Sequence, residues 1–596
     1  MATYYISLTG DDSTLDGTNP LTPYETLNAA EAASSNGDTI EFADGTYPVS
    51  SWQCNGATGY ANIDKALILK ATNAGKVNVS ASNATYFLRL NGAWAGDTLG
   101  VDGINFTDAS GSPSYAIAIK NQSATVGTLN ITNCDFQVNG LYGVFYTGDT
   151  VSGMDLSISN CTHTGGSTSR AFVYLNTYPS GTFIISDCTL TQTGVTVPQG
   201  VVKVQGTAAG VTCSVKRVIV NIDTNGATGR GIYITNIDNA IVDGCTVTSS
   251  SSASDAGFSI NITSESATLS SDFSQVINNT VLNKCYAGFG IVIGTDGSTA
   301  GDNNANDGLV FNNSVTGTDD FKEGLGHGIM FGFCQNGNSF FNMADNLGLG
   351  ILCKDATGGG HFNNKISNTG RTNGDGSGIQ SKGSTNVKYY ANEISMGETS
   401  YGAAFVANQD LVTGVNNTGI EVESNLILCY ENVPVTTKLT STTDANQDVT
   451  FKKNSYVNIS EMSSAPFAYQ GSSYTLSQWK SGVEDDLYES NLSLPIFVEL
   501  GVPRSVIYIS SRTEAATSSA FTLQPGESVE IFSAPRLGDD EFILAEVLGS
   551  DGTYNSLGIL IDQRFTSNVL RNKKTYPRSF RLSKTATQES VRVESD

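Results

Sequence analysis

Apolar and polar positions repeat in three consecutive copies of one pattern between Gly326 and Ser395. The copies read GHGIMFGFCQNGNSFFNMA, GLGILCKDATGGGHFNNKI and GSGIQSKGSTNVKYYANEI. In each copy an Asn lies fourteen residues after the Gly of Gly-Ile, whereas successive copies begin 22 and then 28 residues apart. A constant core with insertions of variable length is typical of stacked coils, so the pattern predicts a repeat protein.

The Asn position can be followed along the chain through thirteen coils. Its residues are Ile104, Cys134, Cys161, Cys188, Val218, Cys245, Asn279, Asn313, Asn342, Asn364, Asn392, Asn425 and Asn454. Cys behaves as a small buried hydrophobe, so the first half of the column predicts a core of reduced thiols. A buried Asn can bond to backbone and to the Asn above it, so the second half predicts an Asn ladder. At about 4.8 Å per strand, the coils would form a rod about 70 Å long.

A second column follows the Gly-Ile strands, where side chains alternate between two faces. The positions predicted to point inward are Ile232, Ile234, Ile329, Phe331, Ile351 and Cys353. The positions predicted to point outward are Tyr233, Val292, Met330, Leu352, Lys354, Gln380 and Lys382.

The two ends of the repeat have patterns of their own. The N-terminal segment predicts a strand at Thr3–Ser7 and a short helix near Thr26–Ser35 with Leu27, Ala30 and Ala33 on one side, followed by GDTIEFADGTY. Near the other end, SYTLSQWKSG predicts a turn helix that carries a Trp. Beyond Pro495 the coil pattern is absent, and short apolar runs predict strands.

The N-terminal helix, the GDT and GTY signatures and the Trp-bearing helix resemble those of right-handed parallel β-helix proteins of the pectate-lyase-like superfamily. The whole chain resembles phage tailspike and tail-fibre proteins. The resemblance implies an all-β, right-handed, single-stranded parallel β-helix (a solenoid) with an N-terminal helix cap and a C-terminal β-sandwich-like domain. The expected divisions are 1–37 for the N-terminal strand and capping helix, 38–494 for the β-helix and 495–596 for a β domain that serves assembly or carbohydrate binding. The resemblance to phage tailspike proteins also implies a homotrimer that contacts other virion tail proteins.

Composition and charge restrict the possible partners. The chain has 596 residues and a formal net charge of −25, which argues against nucleic-acid binding through a broad basic surface. No apolar run approaches the ~20 residues of a membrane span, so membrane insertion is not expected. The start MATYYISLTGDD lacks the basic and apolar regions of a signal peptide. The expected location is therefore the surface of a virion, with an extracellular location as the alternative.

Most motifs with a defined chemistry are missing. The sequence contains no P-loop, no dinucleotide-binding glycine fingerprint, no HExxH and no GxSxG. The loops DDSTLDG and DNNANDG are similar to calcium loops, although the Gly of the second falls one position late for an EF-hand. Ca²⁺ is therefore the one candidate cofactor, turn loops are the simpler interpretation, and no metal ligands are assigned.

Cations and aromatic residues recur at one place in successive coils of this acidic chain. Arg170 and Arg230 lie at the start of Gly-Ile-type strands, and Lys203 lies on the same strand face, near Tyr233. Cations beside aromatic rings suit an anionic or polar glycan, so these four residues are the predicted substrate-binding residues. The alternative is that long cationic side chains merely cover a sheet.

The catalytic candidates lie in the three copies described first. Lys354 or Lys382 could act as the base of a polysaccharide lyase together with His327, whereas Asp355 and Asp375 could act as the two carboxylates of a glycoside hydrolase. Three hypotheses follow. The first is a phage tailspike or receptor-binding protein that recognises a host-surface polysaccharide and either leaves it intact or depolymerises it. The second is a polysaccharide lyase or glycoside hydrolase without a virion role. The third is a structural spike or adhesin without catalysis.

Overall fold

Each coil of the chain contributes one strand to each of three parallel sheets in the computed structural model. The structure describes side chains and backbone, or backbone alone, for the following residues: 1–57, 59–81, 86–91, 96–108, 115–119, 127–138, 142–146, 154–166, 170–178, 180–195, 200–224, 229–251, 258–266, 268–285, 288–295, 305–318, 326–370, 376–396, 402–410, 413–428, 438–442, 447–452, 454–457, 467–470, 472–485, 494–498, 505–509, 516–517, 521–523, 528–533, 542–548, 554–561, 567–571 and 578–585. The chain passes from sheet one to sheet two to sheet three and then begins the next coil.

Sheet one has 17 strands. Its strands are Thr3–Ile6, Thr39–Phe42, Ile68–Ala71, Thr98–Asp102, Thr128–Thr132, Asp155–Ser159, Gly181–Ser186, Val211–Lys216, Ile241–Asp243, Gln275–Ile277, Leu309–Phe311, Asn338–Phe340, Gly360–Phe362, Lys388–Tyr390, Ile420–Glu423, Val449–Lys452 and Glu484–Asp485.

Sheet two has 15 strands. Its strands are Gly45–Pro48, Val77–Ala81, Ile104–Asp108, Asp135–Val138, Thr162–Gly165, Thr189–Val195, Ile219–Thr224, Thr246–Ser251, Thr280–Asn283, Ser314–Gly317, Met343–Asp345, Lys365–Thr369, Glu393–Met396, Leu426–Leu428 and Ser455–Val457.

Sheet three has 16 strands. Its strands are Ala61–Ile63, Tyr86–Leu90, Tyr115–Ile119, Tyr142–Tyr146, Ala171–Tyr178, Val202–Gly206, Arg230–Thr235, Phe258–Thr263, Phe289–Gly294, His327–Gly332, Leu349–Lys354, Ser377–Lys382, Ala403–Asn408, Lys438–Thr442, Phe467–Tyr469 and Ser472–Tyr474. Its last two strands pair antiparallel and end the stack. The prediction of an all-β parallel solenoid is confirmed.

The corner between sheet one and sheet two is made by single residues in the left-handed backbone conformation. Asn tolerates this conformation better than most residues, and it occupies five of these corners. The Asn corners are Asn133, Asn160, Asn278, Asn312 and Asn363, with φ between 49° and 57°. The column predicted from the sequence follows directly after this corner, which explains why its position is constant while the loops elsewhere vary in length.

The second half of the column forms the predicted Asn ladder. From Asn279 to Asn425, each amide Nδ2 donates to Oδ1 of the next Asn at 2.9–3.0 Å. The same Oδ1 atoms accept from the backbone N–H of the preceding Asn at 2.9–3.1 Å. The ladder therefore supplies hydrogen-bond partners for buried backbone N–H groups and for buried side-chain amides. The predicted Asn ladder is confirmed. In the first half of the column, Cys134, Cys161, Cys188 and Cys245 are buried.

Helices close both ends of the coil stack. The helix Leu27–Ala33 begins where Thr26 Oγ1 accepts from the backbone N–H of Ala29 at 3.3 Å, and Leu27 and Ala30 are buried. Ala33, the third residue that the pattern placed on the same side of the helix, is exposed, whereas Glu31 is buried. Lys65 compensates the Glu31 carboxylate with an ion pair of 3.4 Å.

Two further helices lie in the described residues, Val49–Trp52 and Leu476–Gly482. The second is the predicted Trp-bearing helix, and its Trp479 is fully buried. After the last strand of sheet one, Glu484–Asp485, the described residues contain nine further strands, all in antiparallel pairs: Leu494–Val498, Ser505–Ile509, Ala516–Thr517, Phe521–Leu523, Ser528–Ser533, Phe542–Leu548, Tyr554–Ile561, Ser567–Arg571 and Arg578–Thr585. The division into domains at 37 and 494 stays a prediction.

Candidate functional site

The outer face of sheet three carries an unbroken column of side chains in register from coil to coil. Its members are Arg89, Ala118, Phe145, Tyr174, Lys203, Tyr233, Asn261, Val292, Met330, Leu352, Gln380 and Val406. Parallel strands in register place equivalent side chains one strand spacing apart, about 4.8 Å. The chemistry of this face therefore changes gradually along the stack, from aromatic and cationic to apolar to polar.

The first part of this face is a stack of aromatic rings. Tyr115 stacks on Tyr86 and on Tyr142, with ring centroids 5.4 Å and 5.6 Å apart. Phe145 lies 4.3 Å from Tyr115 and stacks on Tyr174 at 5.6 Å. Tyr142 and Phe145 are buried in a cluster that is separate from the interior core, with Tyr115 and Tyr174 partly buried against it, so these rings pack on one another on the outer side of sheet three.

Cations continue the stack in the next coils. The ammonium of Lys203 lies between two rings, 5.3 Å from the centroid of Tyr174 and 5.5 Å from that of Tyr233. The guanidinium of Arg230 lies 3.9 Å from the centroid of Tyr233 and 5.4 Å from that of Phe258. We call Tyr115, Tyr142, Phe145, Arg170, Tyr174, Lys203, Arg230 and Tyr233 the aromatic–cation row. The row brings together all four residues that the sequence predicted to bind substrate.

Burial and neighbouring charges shift the pKa values of several side chains in the row. Burial raises the pKa of Tyr174 to about 12 and also raises that of Tyr142, although a hydrogen bond and the charge of Arg170 oppose the latter shift. Burial lowers the pKa of Lys203, and the Arg230 charge lowers it further, whereas Glu265 opposes both. The Tyr233 hydroxyl donates to Glu265, which places one carboxylate at the edge of the row.

Four of the positions predicted to point outward lie on the outer side of the sheet but are buried there. Tyr233 is only 2% exposed, and Val292, Met330 and Leu352 are buried in a separate apolar cluster on the outer side of the sheet. Alternation gives the face on which a side chain lies but does not show what packs over that face. Because Arg230 and Lys203 contact the Tyr233 ring, Tyr233 supports these two cations more than it offers an open platform.

The predicted catalytic residues separate into two places. Lys354 and Lys382 are direct register partners at the ends of neighbouring strands. His327 lies at the start of its strand, where it contacts the Phe289 ring at 4.7 Å. The register partner of Lys354 on that strand is Gly332, five residues beyond His327, so about 16 Å of strand separates His327 from the lysines. Asp375 lies outside the described residues.

A carboxyl pair lies beside the two lysines. Asp355 follows the strand Leu349–Lys354, and burial, with a smaller effect of the neighbouring Asp410 carboxyl, raises its pKa to about 7, against opposing effects of Thr413 and Lys354. Asp410 is fully buried and forms an ion pair of 3.5 Å with Lys382. Thr413 Oγ1 donates to Asp355 Oδ1 at 3.0 Å, so both acids already contact other side chains. The catalytic roles of Lys354, Lys382, His327, Asp355 and Asp375 stay a prediction.

Two groups of functional candidates were missed by sequence reasoning. Tyr86, Tyr115 and Tyr142 lie 29 and 27 residues apart, which is one coil length, so their recurrence was a usable signal. Asp410 lies two residues after the strand Ala403–Asn408, and Asp355 lies one residue after its own strand. Acidic residues at equivalent ends of nearby strands were the signal for this pair.

The loops proposed for Ca²⁺ use their carboxylates within the chain. Asp11 accepts from Ser13 and Thr14, and Asp12 accepts from the backbone of Glu25 and Thr26. In the second loop Asn336 donates to Asp307, whereas Asp302 lies outside the described residues. Over the part of the chain that the structure describes, no group of three or more His, Cys, Asp or Glu side chains is arranged to hold a metal ion. In the same part, helices of the length and hydropathy needed for a membrane span are absent.

Comparisons with known proteins give little beyond the architecture. No protein-family model matches the sequence, and no curated protein matches it. Among solved structures, the chain is similar to a double mutant of the periplasmic alginate epimerase AlgG, with 12% identity over 70% of this chain and 85% of that chain and a TM-score of 0.28. That similarity is too distant to transfer a substrate or a catalytic residue. The fold and the outer face of sheet three thus define the class: a parallel β-solenoid with a row of aromatic and cationic side chains along one sheet.

Proposed function

We propose that the protein binds an extracellular polysaccharide along the aromatic–cation row. The observation that carries this proposal is the position of Lys203 and Arg230, which lie against aromatic rings at 3.9–5.5 Å. In the described residues, the ion pairs within 4.0 Å involve other cations, and neither of these two nor Arg170 takes part in one. A cation that packs against an aromatic ring can still bind an anionic or hydroxyl-rich group of a ligand.

The shape of the row also suits a chain-like ligand. From Tyr115 to Arg230 the row crosses five strands of sheet three, which is about 19 Å at the parallel strand spacing. Tyr rings combine an apolar face with a polar hydroxyl, and a sugar ring offers the same two kinds of surface. Repeating groups on the protein therefore match repeating groups on a polysaccharide.

The finer proposal is that of a phage tailspike or receptor-binding protein, in which the glycan belongs to the host surface. This version includes a homotrimer, contacts with other virion tail proteins and a position on the virion. A solution mass of three chains would support it, and a monomer would count against it. An extracellular polysaccharide lyase or glycoside hydrolase without a virion role is the main alternative, and a structural spike or adhesin is the second. Release of reducing ends or of unsaturated uronate would distinguish the enzyme from the other two.

Substitutions in the row should weaken glycan binding without unfolding the protein. We expect Lys203→Ala and Arg230→Ala each to lower the affinity for the best ligand of a glycan array roughly tenfold, because each removes about 1–2 kcal/mol of contact with the ligand. The matched control is Lys388→Ala, which removes a cation from sheet one, where Lys388 pairs with Glu421 at 3.7 Å. Equal losses in all three variants, or no loss in either row variant, would contradict the proposal.

A further inference from the structure

The outer face of sheet two is open to solvent in the middle of the stack. Side chains alternate between core and surface along each strand, so each strand contributes two outward positions in register with those of its neighbours. Over the six strands from Thr162–Gly165 to Ser314–Gly317, these positions carry no charge, and all of them are exposed or half-buried. We call them the neutral face: Thr162, Thr164, Thr189, Thr191, Ile219, Asn221, Thr246, Thr248, Thr280, Leu282, Ser314 and Thr316.

The lack of charge on this face matters because the chain is strongly acidic. It has 57 Asp and Glu residues against 32 Lys and Arg residues, and copies with a net charge of −25 repel one another. Repulsion is weakest where neither copy presents a charge. Charged outward residues begin where the neutral face ends, with Asp135 on the strand before it and Asp345, Lys365 and Glu393 on the strands after it. An uncharged centre with a charged rim is typical of protein–protein interfaces.

The neutral face also carries exposed apolar surface. Ile219 lies between Thr189 and Thr246 in register and is 43% exposed. Met343 continues the same column one coil beyond the neutral face and is 44% exposed. A partner that covers these side chains removes apolar surface from water, and a second sheet can pack against a face of this kind.

Sheet two is large enough for a stable contact between two copies. From Ile104–Asp108 to Glu393–Met396 it contains eleven strands. At about 4.8 Å between strands and about five residues of 3.3 Å each along a strand, these cover about 800 Å². A standard interface buries about 800 Å² on each partner. The neutral face would form the centre of such a contact.

The outer faces of the other two sheets are less suitable. Sheet three carries the aromatic–cation row and, further along the stack, the buried cluster that contains Val292 and Met330. On sheet one, the outer residues from Ile277 to Tyr390 are packed in a further buried cluster. The earlier coils of sheet one carry outward charges at Asp155, Lys216 and Asp243. Among the described residues, sheet two therefore presents the face that is both open and uncharged over several coils.

We propose that the neutral face is the surface through which a second copy of this chain packs side by side with the first. This arrangement leaves sheet three, and with it the aromatic–cation row, free to bind a ligand. It fits the homotrimer of the finer proposal above. Its test is the solution mass, so it can fail while glycan binding stands, and glycan binding can fail while it stands.

Sedimentation of the full chain over a range of concentrations tests the proposal. We expect the unsubstituted chain to associate, and Ile219→Glu to raise the dissociation constant by more than about tenfold, because it places like charges against each other in the contact. The matched control is Ile184→Glu. Ile184 is 38% exposed on the sheet-one strand Gly181–Ser186, so the same charge is added away from the contact and the dissociation constant should not change. A single-chain mass for the unsubstituted protein, or a constant for Ile219→Glu no weaker than that of the control, would overturn the proposal.

A lysine at the same two positions separates the local contact from the overall charge. Ile219→Lys makes the chain less acidic but places a cation inside the contact, where it loses water without gaining a partner, so association should weaken. Ile184→Lys changes the net charge equally and should not weaken it. Both isoleucines are exposed, so denaturant unfolding of all four variants should match that of the unsubstituted chain. Tighter association of Ile219→Lys than of the unsubstituted chain would overturn the proposal, because overall charge alone would then control association.

Discussion

Asn364→Ala is expected to lower the free energy of unfolding by about 3 kcal/mol, one of the two largest effects foreseen for a single substitution. Asn364 Oδ1 accepts from the backbone N–H of Asn342 at 3.1 Å and from its amide at 2.9 Å. In the other direction, Asn364 Nδ2 donates to Asn392 Oδ1 at 3.0 Å. Alanine would leave buried donors of Asn342 without their acceptor, and each costs about 1–3 kcal/mol. The loss should be visible in denaturant unfolding.

The control for the ladder is an Asn on the outer side of a strand. Asn130 lies in the strand Thr128–Thr132 and is only half-buried, so Asn130→Ala should change the free energy of unfolding by less than about 0.5 kcal/mol. Stability of a solenoid is the sum of contributions from neighbouring coils, so the Asn364→Ala loss should be concentrated in the exchange of Asn338–Phe340 and Gly360–Phe362. An unfolding free energy within 0.5 kcal/mol of the unsubstituted value would contradict the structural role of the ladder.

Trp479→Ala is expected to open the C-terminal end of the coil stack at a cost of about 3–5 kcal/mol. Trp479 is fully buried, its ring stacks on Phe467 with centroids 4.7 Å apart, and it contacts the Phe451 ring edge-on at 4.8 Å. Its indole N–H donates to the Tyr456 hydroxyl at 3.1 Å. Alanine removes these contacts and leaves a cavity under the helix.

The effect of Trp479→Ala should stay local because each coil contacts only its neighbours. Amides in Val449–Lys452 and Phe467–Tyr469 should exchange much faster, whereas those in the N-terminal coils should not change. Ser477→Ala on the exposed side of the same helix is the matched control and should leave the exchange unaltered. Unchanged protection of both strands in Trp479→Ala would show that the helix does not seal the stack.

The architecture could be predicted from the sequence because it depends on local rules that recur. Each corner in the left-handed conformation and the buried column residue after it depend on a few neighbouring positions in the sequence. The ladder from Asn279 to Asn454 could therefore be predicted without a structure. The helix around Trp479 was visible for the same reason. The N-terminal helix shows the limit of such rules: the pattern placed Ala33 on the same side as Leu27 and Ala30, but the buried residue is Glu31, which forms an ion pair with Lys65.

The candidate site could be predicted only in part. The four residues Arg170, Lys203, Arg230 and Tyr233 were found because equivalent positions on parallel strands come together. Burial on the outer face depends on which side chains of neighbouring strands pack together, such as Lys203 and Arg230 on Tyr233, and alternation along one strand does not predict it. Asp410 was missed because its proximity to Asp355 depends on the path of one irregular turn, 55 residues further along the chain.

The measurement that tests glycan recognition by the aromatic–cation row most directly is hydrogen exchange of the complete chain with and without its best-binding glycan. The proposal predicts that the glycan slows exchange in Tyr142–Tyr146, Ala171–Tyr178, Val202–Gly206 and Arg230–Thr235, the strands that carry the row. Exchange in sheet one at the same coils, such as Asp155–Ser159 and Val211–Lys216, should not change. Protection confined to sheet one or to the strands after Leu494, with none in the row, would contradict the account.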